Sequence, residues 1–430
     1  MNTVVLTGSQ RLGGNVKAPP SKSETIREVI ASTLSRGASE ILGPLSADDT
    51  NAARRCCQAL GARITVRRNS WKIWSDGRIR CPRKPLNCIE SATTLRFLAA
   101  VGSSAPGIVV LTGKESLLKR PIGLLLSSLR QLGVDCFTEE GDIYPPVLNL
   151  GGGLDGGDVN LRGDESSQYV SALLFASPQA RREVKISLTT PLESTPYVNL
   201  TLRTLKDHGI QFKASEELNY FEIRQGQEYR PISVSISGDY SSISFLLVSA
   251  VITDSRIKVG NLRRGSGQAD ERIVQILKNM GVKISLGSDF LSIMGVPERL
   301  VPMDIDVRDC PDLTPALAVL ACFADGTSIL RGTRRLRIKE SDRVSVLVSE
   351  LSKMGVEIKS KDDQLVIEGL DRLRGAVIES HGDHRIAMAG VTAALAAEGT
   401  SQIIGAQTIS KSYPNFLQDL KILGAKLDVR

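Results

Sequence analysis

One short pattern recurs six times along the 430 residues, and it restricts the chain to a repeated α/β architecture. Each copy is a leucine or other apolar residue, two variable positions, another apolar residue, a glycine and then alternating apolar residues. The copies are QALGARI, LRQLGVDC, LKDHGIQF, LKNMGVKI, LSKMGVEI and LKILGAKL. Their glycines, Gly61, Gly133, Gly209, Gly281, Gly355 and Gly424, are spaced by 72, 76, 72, 74 and 69 residues. Each copy reads as the last turn of an amphipathic helix, a glycine free to turn left-handed just past the helix end, and a period-two strand. The third copy carries His208 at an apolar position, which predicts a partly exposed helix residue with no catalytic role.

A period near 72 exceeds the roughly 20–45 residues of simple solenoid repeats, so each repeat must be a compact βα-type unit of several elements. Single cores stop growing near roughly 250–300 residues, and three repeats per domain divide the chain in two. A second echo supports the division: GDESSQY and GDYSSIS share GDxSS, at Gly163 and Gly238. The boundary is placed near residue 234, in QGQEYRPIS. Two similar domains would meet around a cleft, where ligand sites usually form.

Fifty-four basic against 47 acidic residues leave a net charge of +7, which favours anionic partners. The basic residues are scattered among acids, and aromatics are only 4% of the chain. That pattern points to small anionic substrates and away from nucleic acid. The seven cysteines form no CxxC pair and suggest neither a disulfide framework nor a thiolate metal site, so a reducing cytoplasm is expected. No charged-then-apolar leader opens the chain. Its longest apolar stretches, such as 243–252 and 386–398, fall short of the ~20 residues of a membrane span.

Three motifs invite other readings. GGGLDGG at 151–157 has GxGxxG spacing, but an alternating strand pattern follows it where a dinucleotide fingerprint requires a helix. LTGKES at 111–116 lacks the upstream glycine of a phosphate-binding loop. HGDHR groups His381, Asp383 and His384, yet with one further histidine and no paired cysteines no metal site is expected.

PPSKSETIR places Lys22, Ser23 and Arg27 at a predicted helix start, where backbone N–H groups and the helix dipole favour an anion. A capping serine explains Ser21 or Ser23 but not both cations. With ESATTLR, LLKRP, GDESSQY, CPDLTPAL, RIKESDR, GDHRIAM and TISKSYP following in order over residues 20–414, the chain resembles the 5-enolpyruvylshikimate-3-phosphate synthases. The resemblance implies a two-domain inside-out α/β barrel, each domain made of three βαβαββ units around a pseudo-three-fold axis. Residues 15–233 would form one domain, and 1–14 with 234–430 the other.

It also implies the chemistry: transfer of the enolpyruvyl group of phosphoenolpyruvate to the 5-hydroxyl of shikimate 3-phosphate, by a cytoplasmic monomer needing no metal or organic cofactor. Carried over by motif, Lys22, Ser23, Arg27, Ser166, Ser167, Gln168, Ser194, Tyr197, Asp312 and Lys339 would contact shikimate 3-phosphate, Tyr197 either beneath the ring or at the phosphate. Lys22, Ala92, Arg96, Arg120, Gln168, Arg343, His384, Arg385 and Lys411 would contact phosphoenolpyruvate. Asp312 would take the hydroxyl proton, Glu340 and Lys22 would shuttle protons at C3 and the leaving phosphate, and Lys411 would share the acid role. The substrates bring four anionic groups, which eight of these lysines and arginines can offset; arginine suits the planar forks, and lysine can also give up a proton.

ESATTLR departs from the family pattern. Glu90 stands where many bacterial relatives have asparagine and Ala92 where most have glycine, so weaker inhibition by glyphosate is expected. Arg335 stands where some relatives have asparagine and is not assigned to a ligand. The sister enzyme that uses UDP-N-acetylglucosamine has a loop cysteine where this chain has Glu115, and it lacks KESDR. An RNA-binding protein is suggested only by the basic pI, and a non-catalytic scaffold would require lost catalytic residues.

Overall fold

The computed structural model describes residues 2–139, 141 and 143–430. All six repeat glycines have positive φ, between 80° and 115°. Gly61 N–H donates to the Gln58 carbonyl and Ala62 N–H to that of Cys57; the same pair of bonds recurs at the other five glycines. This is the Schellman closure, in which two otherwise orphaned helix carbonyls are satisfied and a Cβ at the turning residue would be strained.

Among the described residues the strands form six four-stranded sheets of one design. In one of them Asp304–Asp306 runs parallel to Thr327–Arg331, Gln364–Glu368 pairs antiparallel with the latter, and Ile358–Lys361 closes the edge. The parallel pair needs a crossover, supplied by the helix Thr314–Ala321. Three sheets borrow a strand from elsewhere in the chain. Ser233–Ser235 returns to Arg36–Leu42, Gly13–Lys17 joins Arg256–Gly260, and Thr3–Thr7 fills the sheet of Thr400–Ile404 and Leu427–Val429.

These returns divide the chain into two compact units, Met1–Pro20 with Ser237–Arg430, and Ser21–Ile236. Because Gly13–Lys17 pairs with Arg256–Gly260, the crossing between units falls at Pro20/Ser21 rather than at residue 15. Each unit has its own apolar core. In the first, the helices Tyr240–Ile252, Thr314–Ala321 and His384–Ala396 are buried along nearly their whole length. In the second, Ala92–Val101 and Ser167–Ala176 are equally enclosed. Strands such as Gln364–Glu368 and Thr400–Ile404 alternate instead, burying every second residue. The apolar stretches 243–252 and 386–398 thus lie largely within core helices, and among the described residues no helix is long and apolar enough to cross a membrane. The GGGLDGG segment leads into the strand Gly157–Leu161, as its alternation requires.

His208 corrects the sequence reading, because it is wholly buried at the end of the helix Thr195–Asp207. Its Nδ1 lies 2.8 Å from the Arg230 carbonyl and 3.0 Å from Ser35 Oγ, and its Nε2 lies 3.1 Å from a Glu28 carboxylate oxygen. Thr204 donates to the other Glu28 oxygen at 2.9 Å. An enclosed polar residue needs such partners, and these come from positions up to 180 residues away, where no periodicity reveals them.

Candidate active site

In the Ser21–Ile236 unit the singled-out residues gather at helix N-termini. Ser21, Ser91 and Ser166 cap the helices beginning at Lys22, Ala92 and Ser167, each accepting from a backbone N–H of the first turn. Ser194 precedes the helix at Thr195 in a left-handed conformation, with φ of 59°. Such ends concentrate partial positive charge.

Arg96, one turn into its helix, donates to Gln168 Oε1 at 2.7 Å and to the Pro121 carbonyl at 2.9 Å, with Ser166 Oγ at 3.5 Å. Gln168 donates in turn to Thr93 at 2.9 Å, locking two helix starts together. Buried Arg120 immediately precedes Pro121. Arg27 is 2% exposed and donates to Thr201 Oγ1 and to the carbonyls of Ser23 and Tyr197, with the Phe97 ring 5.3 Å away. Burial pushes its pKa down to about 10, against the pull of Tyr197, Glu24 and Glu28, so the group keeps its charge near neutrality. Lys22 pairs with Asp49 at 3.1 Å. Ala92 and Ser167 are buried first-turn residues, while Ser23 and Tyr197 are half-buried. Glu90, one of the departures from the family pattern, accepts from Ser116 at 2.6 Å.

The other unit assembles a different site. Arg343 is 1% exposed and surrounded by carboxylates: Asp383 at 2.8 Å, Glu340 at 2.7 Å and Asp312 at 3.0 Å. Burial opposes its charge, but Asp383, then Glu340 and Asp312, outweigh burial and hold the guanidinium more firmly protonated than an ordinary arginine. Arg385 grips Asp312 from another side, at 3.1 Å to Oδ2 and 3.1 Å to the carbonyl. Asp383 also caps the helix at His384, accepting from Arg385 N–H at 2.9 Å. Lys411 donates to the Gly382 carbonyl at 2.6 Å, next to Asp383. His384 is buried with Nδ1 3.8 Å from Asp383. Half-buried Lys339 ends the turn before Glu340. Asp312, the least buried carboxylate of the network at 24% side-chain exposure, can still be reached. A two-armed arginine clamp on a reachable carboxylate fixes the direction in which it can accept a proton.

HGDHR is divided between tasks, since His381 turns to Glu350 at 3.1 Å while Asp383, His384 and Arg385 face the network. Arg335 is buried and donates to the Arg308 carbonyl at 2.6 Å. Asp49, Thr93 and Asp270 join the two sites without having been singled out from the sequence, and Asp383 joins them after having been weighed only as a metal ligand. Asp270 is 2% exposed. Burial first, then the charge of Asp312, pushes its pKa up to about 7, with Arg385 and Ser241 pulling the other way. An alignment column could have flagged these residues, but nothing in their spacing does.

A family model described as EPSP synthase (3-phosphoshikimate 1-carboxyvinyltransferase) matches residues 6–420. The 3-phosphoshikimate 1-carboxyvinyltransferase of Methanocaldococcus jannaschii is 38% identical over 433 residues, covering 100% of both chains. That of Methanocella arvoryzae is 39% identical over 417 residues, covering 97% of each. Among solved structures, an EPSP synthase from Acinetobacter baumannii superposes with a TM-score of 0.83 at 27% identity, covering 100% of this chain and 99% of that one.

Proposed function

Because the chain belongs to the EPSP synthase (3-phosphoshikimate 1-carboxyvinyltransferase) family, we propose that it moves the enolpyruvyl group of phosphoenolpyruvate onto the 5-hydroxyl of shikimate 3-phosphate and releases phosphate. It is an enolpyruvyl transferase of the shikimate pathway, which leads to the aromatic amino acids. The observation that carries the mechanistic reading is the Asp312 network, a reachable carboxylate clamped by Arg343 and Arg385 beside Glu340.

In this reading the anionic groups of the substrates meet Lys22, Arg27, Arg96, Arg120, Lys339, Arg343, Arg385 and Lys411. Ser23, Ser166, Ser167, Gln168, Ser194 and Tyr197 complete the recognition of shikimate 3-phosphate, and Ala92 and His384 border phosphoenolpyruvate. Asp312 takes the proton of the 5-hydroxyl as its oxygen bonds to C2 of phosphoenolpyruvate and C3 gains a proton. The resulting tetrahedral intermediate then loses a proton from its C3 methyl group while the C2–O bond to phosphate breaks. Glu340 and Lys22 serve those two proton transfers, and Lys411 shares in protonating the leaving phosphate. Clamped by guanidiniums, Asp312 and Glu340 need little reorganisation as charge moves.

The fold that accompanies this reading is an inside-out α/β barrel for each domain. Its support is the enclosure of the helices and the one-sided burial of the strands. The same reading makes the enzyme a cytoplasmic monomer.

The test is phosphate release from phosphoenolpyruvate with either shikimate 3-phosphate or UDP-N-acetylglucosamine as acceptor. Release with shikimate 3-phosphate alone is expected. Release with the sugar nucleotide, or with neither, would overturn the assignment.

A further inference from the structure

Along the sequence the basic residues look scattered, yet the segment 78–84, RIRCPRK, holds four in seven positions and no acid. It runs between the strands Ser70–Asp76 and Leu86–Asn87, pinned by buried Ile79 and by Arg80 N–H donating to the Leu60 carbonyl at 2.9 Å. With the helix Asp48–Ala59 it borders an open surface hollow of about 600 Å³ whose cationic wall is Arg55, Arg80, Arg83 and Lys84. None of the described residues lining the cavity is acidic, and its apolar side is made by Cys56, Ala59, Pro85 and Leu86.

Simple surface solvation accounts for part of this. Arg80 lies over Gly61 at the C-terminal end of the helix and pairs with Asp76 at 2.9 Å. Arg55, Arg83 and Lys84 have no carboxylate partner among the described residues, so three like charges face one hollow with nothing there to offset them. These three side chains are exposed and hydrated, and a bound anion would supply the counter-charge that the hollow itself lacks. The volume is that of a small-molecule site, and arginine forks beside a lysine suit phosphate oxygens.

We propose that this cavity is a binding site for a small molecule carrying two or more phosphate groups on a compact apolar or aromatic body, as in a nucleoside diphosphate. The phosphates would meet Arg55, Arg83 and Lys84, and the body would rest on Cys56 and Leu86.

Cys81 lines the same cavity, and it is the one exposed cysteine of the seven. Its alkylation in the native full-length protein by iodoacetamide, an uncharged reagent, therefore reports on this cavity and not on the catalytic residues. ADP and pyrophosphate are the probes, compared with sodium chloride at matched ionic strength. Saturable protection of Cys81 by ADP, or by both probes, is expected. The concentration needed should rise at least tenfold in the double variant Arg83→Ser/Lys84→Ser, while phosphate release in the enzymatic assay stays at the wild-type rate. Protection of the variant at the wild-type concentration, equal slowing by chloride, or no protection by either probe at millimolar concentration would overturn the proposal. So would protection by single-stranded RNA alone, which would assign the patch to a polymer.

Discussion

Arg27 and Arg343 are both buried arginines, one in each unit, and their surroundings are opposite. Arg27 spends its donors on a hydroxyl and two backbone carbonyls, all neutral, and the carboxylates of Glu24 and Glu28 act on it without a hydrogen bond. Arg343 is enclosed by Asp312, Glu340 and Asp383, which more than cancel it. Two units with the same sheet design thus carry sites of different electrostatic character. Neutral acceptors hold a cation in place without consuming its charge, which suits binding an anionic substrate. Carboxylates held by guanidiniums have fixed orientation and can accept protons, which suits the chemical step.

The largest expected effect is on Arg343. Arg343→Met strips Asp383 and Glu340, both largely buried, of their guanidinium while Asp312 keeps Arg385, and should cost about 3–5 kcal/mol of stability, as breaking a buried ion pair does. Urea unfolding measures it, and a loss under about 1 kcal/mol would mean that water enters and screens the cluster. Arg27→Met should cost less, about 1–2 kcal/mol for hydrogen bonds forgone, because no carboxylate hydrogen-bonded to it is stranded. Its consequence should instead appear in KM for shikimate 3-phosphate, raised about a hundredfold, since truncating a desolvated charge contact typically costs 2–5 kcal/mol. If the two variants lose the same stability, the contrast between the units fails.

Asp270 sharpens the comparison through pH. Its carboxyl is raised to about 7 in the fold, mainly by burial and then by Asp312. An unfolded aspartate titrates near ~3.9. Between those values the folded state holds a proton that the unfolded state has lost. Stability from this group therefore grows as pH falls through about 7 towards 4, and it is withdrawn as pH rises through about 7. Asp270→Asn, which cannot ionise, should gain stability relative to wild type at pH 8 and lose that advantage at pH 5. Unfolding midpoints at the two pH values measure it, and an equal difference at both would contradict the assignment. The smallest effect concerns Ala92, whose methyl stands at the start of the helix Ala92–Val101. Ala92→Gly should tighten inhibition by glyphosate, measured as IC50 at fixed phosphoenolpyruvate, and leave turnover within about threefold.

Much of the local architecture was legible because it is written in adjacent residues. The six glycine turns needed only a helix-to-strand change of period and a residue tolerant of positive φ. The capping serine of PPSKSETIR announced a helix start for the same reason. Contacts between distant positions were not legible. Nothing near Lys22 points to Asp49, and nothing near Asp312 points to Asp270 or Asp383, since these meetings depend on which sheets lie side by side. His208 misled for that reason: a polar residue on an apolar stripe reads as exposed unless Glu28, 180 residues earlier, is known to receive it. The strand returns at Thr3–Thr7, Gly13–Lys17 and Ser233–Ser235 have no local signature either.

The central claim, that Asp312 takes the proton of the 5-hydroxyl, rests most directly on Asp312→Asn. The substitution keeps the shape and removes the proton-accepting charge. The account predicts turnover lower by about 10²–10⁴, the usual worth of a positioned general base, with dissociation constants for shikimate 3-phosphate and phosphoenolpyruvate within about threefold of wild type. Turnover within about tenfold of wild type, with binding intact, would contradict it.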